Sequence, residues 1–370
     1  MKKLLFVTGT RADYGKLEPL ASAAIKSGFS VTFFVTGMHM MERYGLTKEE
    51  VHRSKVFDVV EFINQRTDDP LDIILSKTII GFSDFVKEFQ PDLVLVHGDR
   101  IESLASCIVC TTNYIRCVHI EGGEVSGTID EQFRHCNTKL ASDHLVSSSR
   151  AKARILRLGE NQNSVHVIGS PELDIHARDS GVSMNQVRKR YSIREEDYGI
   201  CIFHPVTSEV DTINLQAIKL FECLRTSGRY FVVILPNNDP GSEGILKEIK
   251  ELPKDQFRVL PSIRFLYFSE LMKNASIVVG NSSVGVREAP FLGIPSLNIG
   301  SRQSNRSVAS SIHNVNSNDS DKINEILDKS WGVLHPRSSQ FGNGEACEAF
   351  IKILESGKFW ETPPQKYFAD

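Results

Sequence analysis

The chain has 370 residues, 41% of them hydrophobic, which is enough for two domains with a core each. Lysine and arginine (43) nearly balance aspartate and glutamate (46), and the net charge of −3 excludes a global basic field for nucleic acid or an anionic membrane. The seven cysteines lack the spacing of a disulfide framework and fit reduced thiols, and no apolar run approaches the ~20 residues of a membrane span.

Met1-Lys2-Lys3 before Leu4-Leu5-Phe6-Val7 imitates the start of a signal peptide. The apolar stretch is too short for one, and Thr8-Gly9-Thr10-Arg11 follows at once. A first buried strand is expected instead, in a soluble, cytoplasmic protein. Short apolar runs then alternate with helical patterns. Strands are expected at Leu4–Thr8, Ser30–Thr36, Val56–Phe62, Leu93–His97, Ile115–Ile120, Leu145–Ser148 and Val165–Ile168. Helices are expected at Gly15–Ser27, Leu71–Phe89 and Glu102–Thr111. The alternation implies right-handed βαβ units and a parallel sheet. Cys107 and Cys110 form a C-x-x-C inside the last of these helices, and no second close pair completes a zinc site. They are read as small buried residues.

After Gly169-Ser170-Pro171 the pattern loosens, then a second series begins. Its strands are Gly199–Phe203, Phe231–Leu235, Phe257–Leu260, Ser276–Val279 and Ser296–Ile299, with helices at Ile213–Arg225 and Ser242–Glu251. Asp319–Trp331 and Glu345–Leu354 read as terminal helices. The expected fold is α/β, with two tandem doubly wound domains and a cleft between them. The expected bounds are 1–175, 185–345, and a tail 346–370 that crosses back to the first domain.

In an open α/β sheet, ligands sit outside the carboxyl ends of the strands. Asp99 follows one strand, Glu121 ends the next, and Asp130 lies a short loop later, so the three acids are expected at one cleft. Convergent carboxylates repel, and proteins keep them mainly where proton transfer needs them. Gly122, Gly123 and Gly127 are expected to let the backbone approach a ligand closely. Asp130 is expected to cap the following helix, with Arg134 and His135 facing the loop's acids. His135 is read first as structural, and His119, two residues before Glu121, is expected to project to the same side of the strand as that acid.

Arg11 in Gly9-Thr10-Arg11-Ala12-Asp13-Tyr14-Gly15-Lys16 and Arg100 beside Asp99 offer forks suited to phosphate. An ordinary strand-to-helix turn with a surface arginine is the other reading of the first. His204 in Phe203-His204-Pro205-Val206-Thr207 is expected to face the acids across the cleft. Ser282 and Ser283 in Gly280-Asn281-Ser282-Ser283 are expected at a helix N-terminus that suits a diphosphate. Glu288 follows for a ribose diol, and Arg302 and Arg306 end the next strand. Pro236-Asn237-Asn238-Asp239-Pro240-Gly241-Ser242 is a turn by its residue types.

The ordered strings HGDR, HIEGGEVSGTIDE, RH, HPVT, PNNDPGS, GNSSVGVRE and GSRQSNR resemble the hydrolysing UDP-N-acetylglucosamine 2-epimerases. That family includes bacterial sialic-acid biosynthesis enzymes and the epimerase half of the animal bifunctional epimerase/kinase. The match runs from Thr8 to Arg306. The resemblance implies two Rossmann-like domains in the GT-B architecture. It implies catalytic roles for Asp99, Glu121, Asp130 and His204. Arg11, Arg100, Asn237, Ser282, Ser283, Glu288 and Arg302 would then line the UDP and sugar sites. The non-hydrolysing relatives carry Glu-Ala-Gly-Leu-Arg where this chain has Glu-Gly-Gly-Glu-Val. One departure is Asn305-Arg306, where the family has Gly-Arg.

The implied reaction removes the sugar C2 proton as UDP leaves C1, gives 2-acetamidoglucal, and adds water to yield free N-acetylmannosamine. No metal or cofactor is implied, because arginines and a helix end take the charge. A homodimer or homotetramer is implied, with a UDP-sugar as substrate, and the charge and apolar-run readings above expect neither nucleic acid nor membrane as a partner. Three other readings stay open. One is the same chemistry on UDP-2,4-diacetamido-2,4,6-trideoxyglucose, with the loops near Thr36–Tyr44 and Val206–Asp211 as places to tell a C6 hydroxyl from a methyl. Another is an inverting GT-B glycosyltransferase, and the third a catalytically silent nucleotide-sugar sensor.

Overall fold

The computed structural model describes residues 1–67, 69–126, 129–237 and 240–367. Gly127 and the Asn238-Asp239 pair of the motifs above lie outside that set. The chain forms two compact units, one of Met1–Asp174 with Gly342–Asp370, the other of Ile175–Phe341. The borders thus fall at 174/175 and 341/342, against the 175, 185 and 345 of the sequence reading.

The first unit is built on seven parallel strands. They are β1 (Lys3–Thr8), β2 (Ser30–Val35), β3 (Asp58–Glu61), β4 (Leu93–His97), β5 (Cys117–Ile120), β6 (Asp143–Val146) and β7 (Val165–Val167), in the order β3-β2-β1-β4-β5-β6-β7. β4 and β5 are buried along their whole length, as strands covered by helices on both faces must be. Leu4, Phe6, Phe33 and Leu95 on one face pack on Leu17 and Leu20 of helix Arg11–Lys26. Phe350 and Leu354 of helix Ala346–Glu355 join the same cluster. Asp174 accepts from the amides of Ala346 and Cys347, both at 2.8 Å, which holds the start of that helix.

The second unit carries six parallel strands. They are β8 (Gly199–Ile202), β9 (Phe231–Ile234), β10 (Phe257–Leu260), β11 (Ile277–Gly280), β12 (Ser296–Ile299) and β13 (Ile312–Val315), in the order β10-β9-β8-β11-β12-β13. In each sheet the strand order reverses once, between β1 and β4 and between β8 and β11. Those are the topological switch points where open α/β sheets bind ligands. β13 was missed by the sequence reading because Ile-His-Asn-Val buries only its last residue. Among the described residues no helix is long and apolar enough to cross a membrane, and no group of three or more His, Cys, Asp or Glu is placed to hold a metal ion. All seven cysteines are free thiols, and Cys107 and Cys110 are buried in helix Ile101–Thr112 as expected.

Candidate active site

In the first unit Asp99 and Glu121 leave neighbouring strands, with His97 of β4 in register with Ile120 of β5. Glu121 sits in the left-handed region at φ 61°, a conformation that costs a side-chain-bearing residue roughly 1–2 kcal/mol. Strain of this kind persists where the surroundings hold it, and often at functional sites. Here the surroundings are polar. Lys16 Nζ lies 2.7 Å from Glu121 Oε2, the hydroxyl of Ser170 donates to Oε1, and the His97 Nε2 is 3.1 Å from Oε2. Lys16 also pairs with Glu172 at 3.2 Å, and Ser170 is 2.7 Å from the same carboxylate.

His97 joins this group to the first helix, because its Nδ1 lies 3.1 Å from Asp13 Oδ1. An ionised carboxylate only accepts, so both ring nitrogens are satisfied together only in the imidazolium. Burial pulls the His97 pKa down, but the carboxylates of Asp13 and Glu121 outweigh it and the value is raised. Burial pushes Asp13 up, and the His97 bond and charge together with Arg100 and Thr10 more than reverse this, leaving its carboxyl below the usual range. His97, Asp13, Lys16 and Ser170 were not singled out from sequence as site residues. Lys16 stands three positions after Asp13 on helix Arg11–Lys26, a spacing that places both on one face and was the available signal.

Arg134 ties the two acidic loops together. It donates to the Asp99 carboxylate, to the Glu124 carbonyl at 2.9 Å and to the Ser126 hydroxyl at 3.4 Å. Arg134 was expected to face the acids of its own loop; the carboxylate it bonds here is Asp99 of the other loop, and its own loop offers it the Glu124 carbonyl and the Ser126 hydroxyl. His135 is half exposed, with Glu131 4.0 Å away. Asp130 lies in the first turn of helix Ile129–Leu140 rather than at its cap, because the helix has already begun at Ile129. His119 is wholly buried. Its Nε2–H donates to the Gly98 carbonyl at 2.7 Å and its Nδ1 accepts from Thr138 at 3.1 Å. Burial holds its pKa down to about 3, so it is a neutral support for the Asp99 loop.

Gly122 and Gly123 serve packing rather than a ligand. A Cβ on Gly123 would stand 2.4 Å from the Ala151 carbonyl oxygen, and one on Gly122 2.8 Å from His119 Nδ1. Arg11 opens its helix and pairs with Glu50 at 3.0 Å. Arg100 Nε is 3.8 Å from Glu102.

In the second unit Asn281 is the centre, at the end of β11 beside the end of β8. Its Oδ1 accepts from the His204 amide at 2.7 Å and its Nδ2 donates to the His204 carbonyl at 2.8 Å. Its own carbonyl accepts from Arg302 at 3.1 Å and Gln303 at 3.0 Å. His204 Nδ1 accepts from the amide of Asn237 at 3.0 Å, which leaves the proton on Nε2. Burial, then the charge of Arg302, pulls the His204 pKa down to about 3. His204 is therefore a neutral hydrogen-bond donor, not a charged acid. Three of the sequence-predicted residues, His204, Asn237 and Arg302, are thus joined in one strand-end cluster around Asn281, and Ser282 follows Asn281 in the chain.

Ser282 caps not a long helix but a 3-10 turn of three residues, Ser283–Gly285, and Glu288 opens a helix of five, Glu288–Leu292. Few aligned peptides mean a small dipole, so hydroxyls and amides remain as the donors to an anion. Asn305 adopts φ 62°, the left-handed conformation a glycine supplies freely and asparagine tolerates best among the rest. The backbone there keeps the shape that the family's glycine allows.

The model of the UDP-N-acetylglucosamine 2-epimerases matches residues 23–355. A Neisseria meningitidis serogroup B protein named UDP-N-acetylglucosamine 2-epimerase is 40% identical over 100% of this chain and 99% of its own. The Escherichia coli polysialic acid biosynthesis protein P7 is 32% identical over 85% of this chain and 83% of its own. The Legionella pneumophila UDP-N,N'-diacetylbacillosamine 2-epimerase (hydrolyzing) is 29% identical over 96% of each. Among solved structures, the UDP-GlcNAc 2-epimerase from Neisseria meningitidis bound to UDP-GlcNAc superposes with a TM-score of 0.82 at 18% identity, covering 95% of this chain and 99% of that one. The S. aureus MnaA–UDP structure gives 0.81 at 20% identity over 100% of both. With a family model spanning nearly the whole length and a relative at 40% identity from end to end, this chain belongs to the UDP-N-acetylglucosamine 2-epimerase family.

Proposed function

We propose that the chain is a hydrolysing 2-epimerase that converts UDP-N-acetylglucosamine to free N-acetylmannosamine and UDP through 2-acetamidoglucal, in sialic-acid biosynthesis. The observation that carries this is the pair of carboxylates at neighbouring strand ends, each held against its own cation: Asp99 by Arg134, Glu121 by Lys16 and His97. Acids placed at such cost suit proton transfer. The C2 proton is poorly acidic, so its loss must be coupled to departure of UDP. Asp99, Glu121 and Asp130 divide the proton transfers at C2 and at the added water. The neutral Nε2–H of His204 donates to the departing phosphate, as an oxyanion donor does. Asn237, Ser282, Ser283 and Arg302 hold the diphosphate with Arg11 and Arg100, and Glu288 takes the ribose.

The Glu-Gly-Gly-Glu-Val loop supports hydrolysis over simple epimerisation, as does likeness to a Legionella relative whose name carries that word. That relative also favours a second reading, the same chemistry on UDP-2,4-diacetamido-2,4,6-trideoxyglucose. Its 29% identity against 40% for the Neisseria protein ranks it second. Incubation with UDP-N-acetylglucosamine and no acceptor, followed by NMR, tests the proposal. Equal amounts of free N-acetylmannosamine and UDP are expected. Accumulating UDP-N-acetylmannosamine contradicts hydrolysis, and UDP release that depends on an added acceptor indicates a transferase. Preferential consumption of the diacetamido sugar from a mixture selects the second reading. The same reading expects a homodimer or homotetramer in the cytoplasm, the oligomer being measurable by light scattering.

A further inference from the structure

The edge of the second sheet carries a cavity of about 440 Å³ that no role above uses. It opens beside β10, the end strand of that sheet, whose neighbour in the strand order is β9. Ile249 and Leu252, at and just past the end of helix Ser242–Lys250, join Phe257 and Val259 of β10 in its floor. The rim is cationic. Arg194, Lys250, Lys254 and Arg258 line the cavity, and no carboxylate among the described residues does. Glu195, Glu251 and Asp255 adjoin these cations in the chain but stay outside the lining. None of the four cations forms an ion pair among the described residues. Arg194, Lys250 and Lys254 are exposed, while Arg258 is half-buried and anchored through Nε to the Tyr191 carbonyl at 2.5 Å.

Charged side chains alone are enough to guard a sheet edge against pairing. Here charges of one sign surround an apolar recess of a size that holds small molecules. Covering the apolar floor is favourable, and cations without acids beside them attract an anion. A second copy meeting this edge about a twofold axis would set the four cations against themselves. We propose that the cavity is a binding site for a small amphipathic anion. Its hydrocarbon or aromatic body would lie on Ile249, Leu252, Phe257 and Val259, with its acidic head among the four cations. The site is two strands from β8 in the sheet order, away from the β8/β11 switch point, and no residue assigned to UDP lines it. The inference therefore stands apart from the UDP-sugar reading.

The probe is anilinonaphthalene sulfonate, an aromatic anion whose fluorescence rises when it leaves water, titrated into the full-length protein. Saturation at one dye per chain is expected, with binding weakened by salt. Dodecanoate should displace the dye and UDP should not. Uncharged phenylnaphthylamine is expected to bind at least about tenfold more weakly. The triple variant Arg194→Gln, Lys250→Gln, Lys254→Gln changes exposed side chains and should melt as wild type, yet bind the dye at least about tenfold more weakly. Val259→Glu, which sets an acid in the floor, should abolish binding, and the triple variant carries the test if Val259→Glu fails to fold. Wild-type dye affinity in the triple variant, equal affinity for the uncharged dye, or displacement by UDP overturns the proposal. Dye occupancy that falls as protein concentration rises assigns the edge to a second copy. Competition by hexaglutamate but not by dodecanoate assigns it to an acidic strand. Either result also overturns the proposal.

Discussion

Replacing His97 by glutamine removes the link between Asp13 and Glu121. The ring faces both carboxylates at 3.1 Å, and glutamine keeps one donor group and no charge. Charge-assisted hydrogen bonds contribute roughly 1.5–3 kcal/mol each, and breaking a buried pair costs about 3–5 kcal/mol. Glu121 retains Lys16 and Ser170, and Asp13 retains Thr10, so the loss should fall near about 3 kcal/mol at mildly acidic pH. The pKa shift fixes the pH dependence. The folded His97 pKa lies above the ordinary 6.5, so its contribution is complete below 6.5 and is lost as pH rises through the folded value. Each unit of elevation corresponds to about 1.4 kcal/mol. The gap between wild type and His97→Gln should therefore narrow toward alkaline pH. Urea unfolding from roughly pH 6 to 10 measures it. Trp360 reports on the first unit once Trp331, the other of the chain's two tryptophans, is replaced by phenylalanine. A gap independent of pH refutes the imidazolium, and equal stability at pH 6 refutes the network.

Asp99→Asn, Glu121→Gln and Asp130→Asn should each cut turnover at least ~100-fold while UDP still binds in calorimetry; unchanged turnover in all three removes the carboxylate assignment. The His204 imidazole signals should stay fixed in NMR between about pH 5 and 8, because burial and Arg302 hold its pKa near 3 and the ring is neutral throughout that window; a midpoint near the ordinary histidine value contradicts the tautomer argument. Asn305→Val should destabilise the second unit by about 1–2 kcal/mol in denaturant, since a β-branched residue resists φ 62°, whereas Asn305→Gly should not.

Strands that are apolar and covered on both faces were legible in the sequence. β4, buried throughout, falls on the expected bounds residue for residue, and so do β12, which carries Ser296 and Asn298, and the edge strand β10, whose Arg258 and Val259 are only partly buried. β6 was displaced by two residues because it opens with Asp143 and His144, buried polar groups paired with Arg116 at 2.7 Å and Glu160 at 3.1 Å. Sequence polarity hides a strand whose partners are distant in the chain. Ser148, expected inside β6, instead caps the next helix by accepting from the Ala151 amide at 3.1 Å. The candidate site was legible where its residues cluster in motifs, as Asp99, Glu121 and Arg134 do. Asn281 was visible within its motif, but its role as the centre of the second cluster depends on β8 lying beside β11. Likewise, Lys16, His97 and Ser170 meet Glu121 only because β1, β4, β5 and β7 lie in one sheet. Periodicity carries no information about such long-range pairings.

The most direct measurement of the central claim is the reaction with UDP-N-acetylglucosamine in deuterated water, followed by proton NMR. Removal of the C2 proton with loss of UDP predicts free N-acetylmannosamine bearing deuterium at C2, in step with UDP. Product that retains the original C2 proton, or deuterated sugar still attached to UDP, contradicts the account.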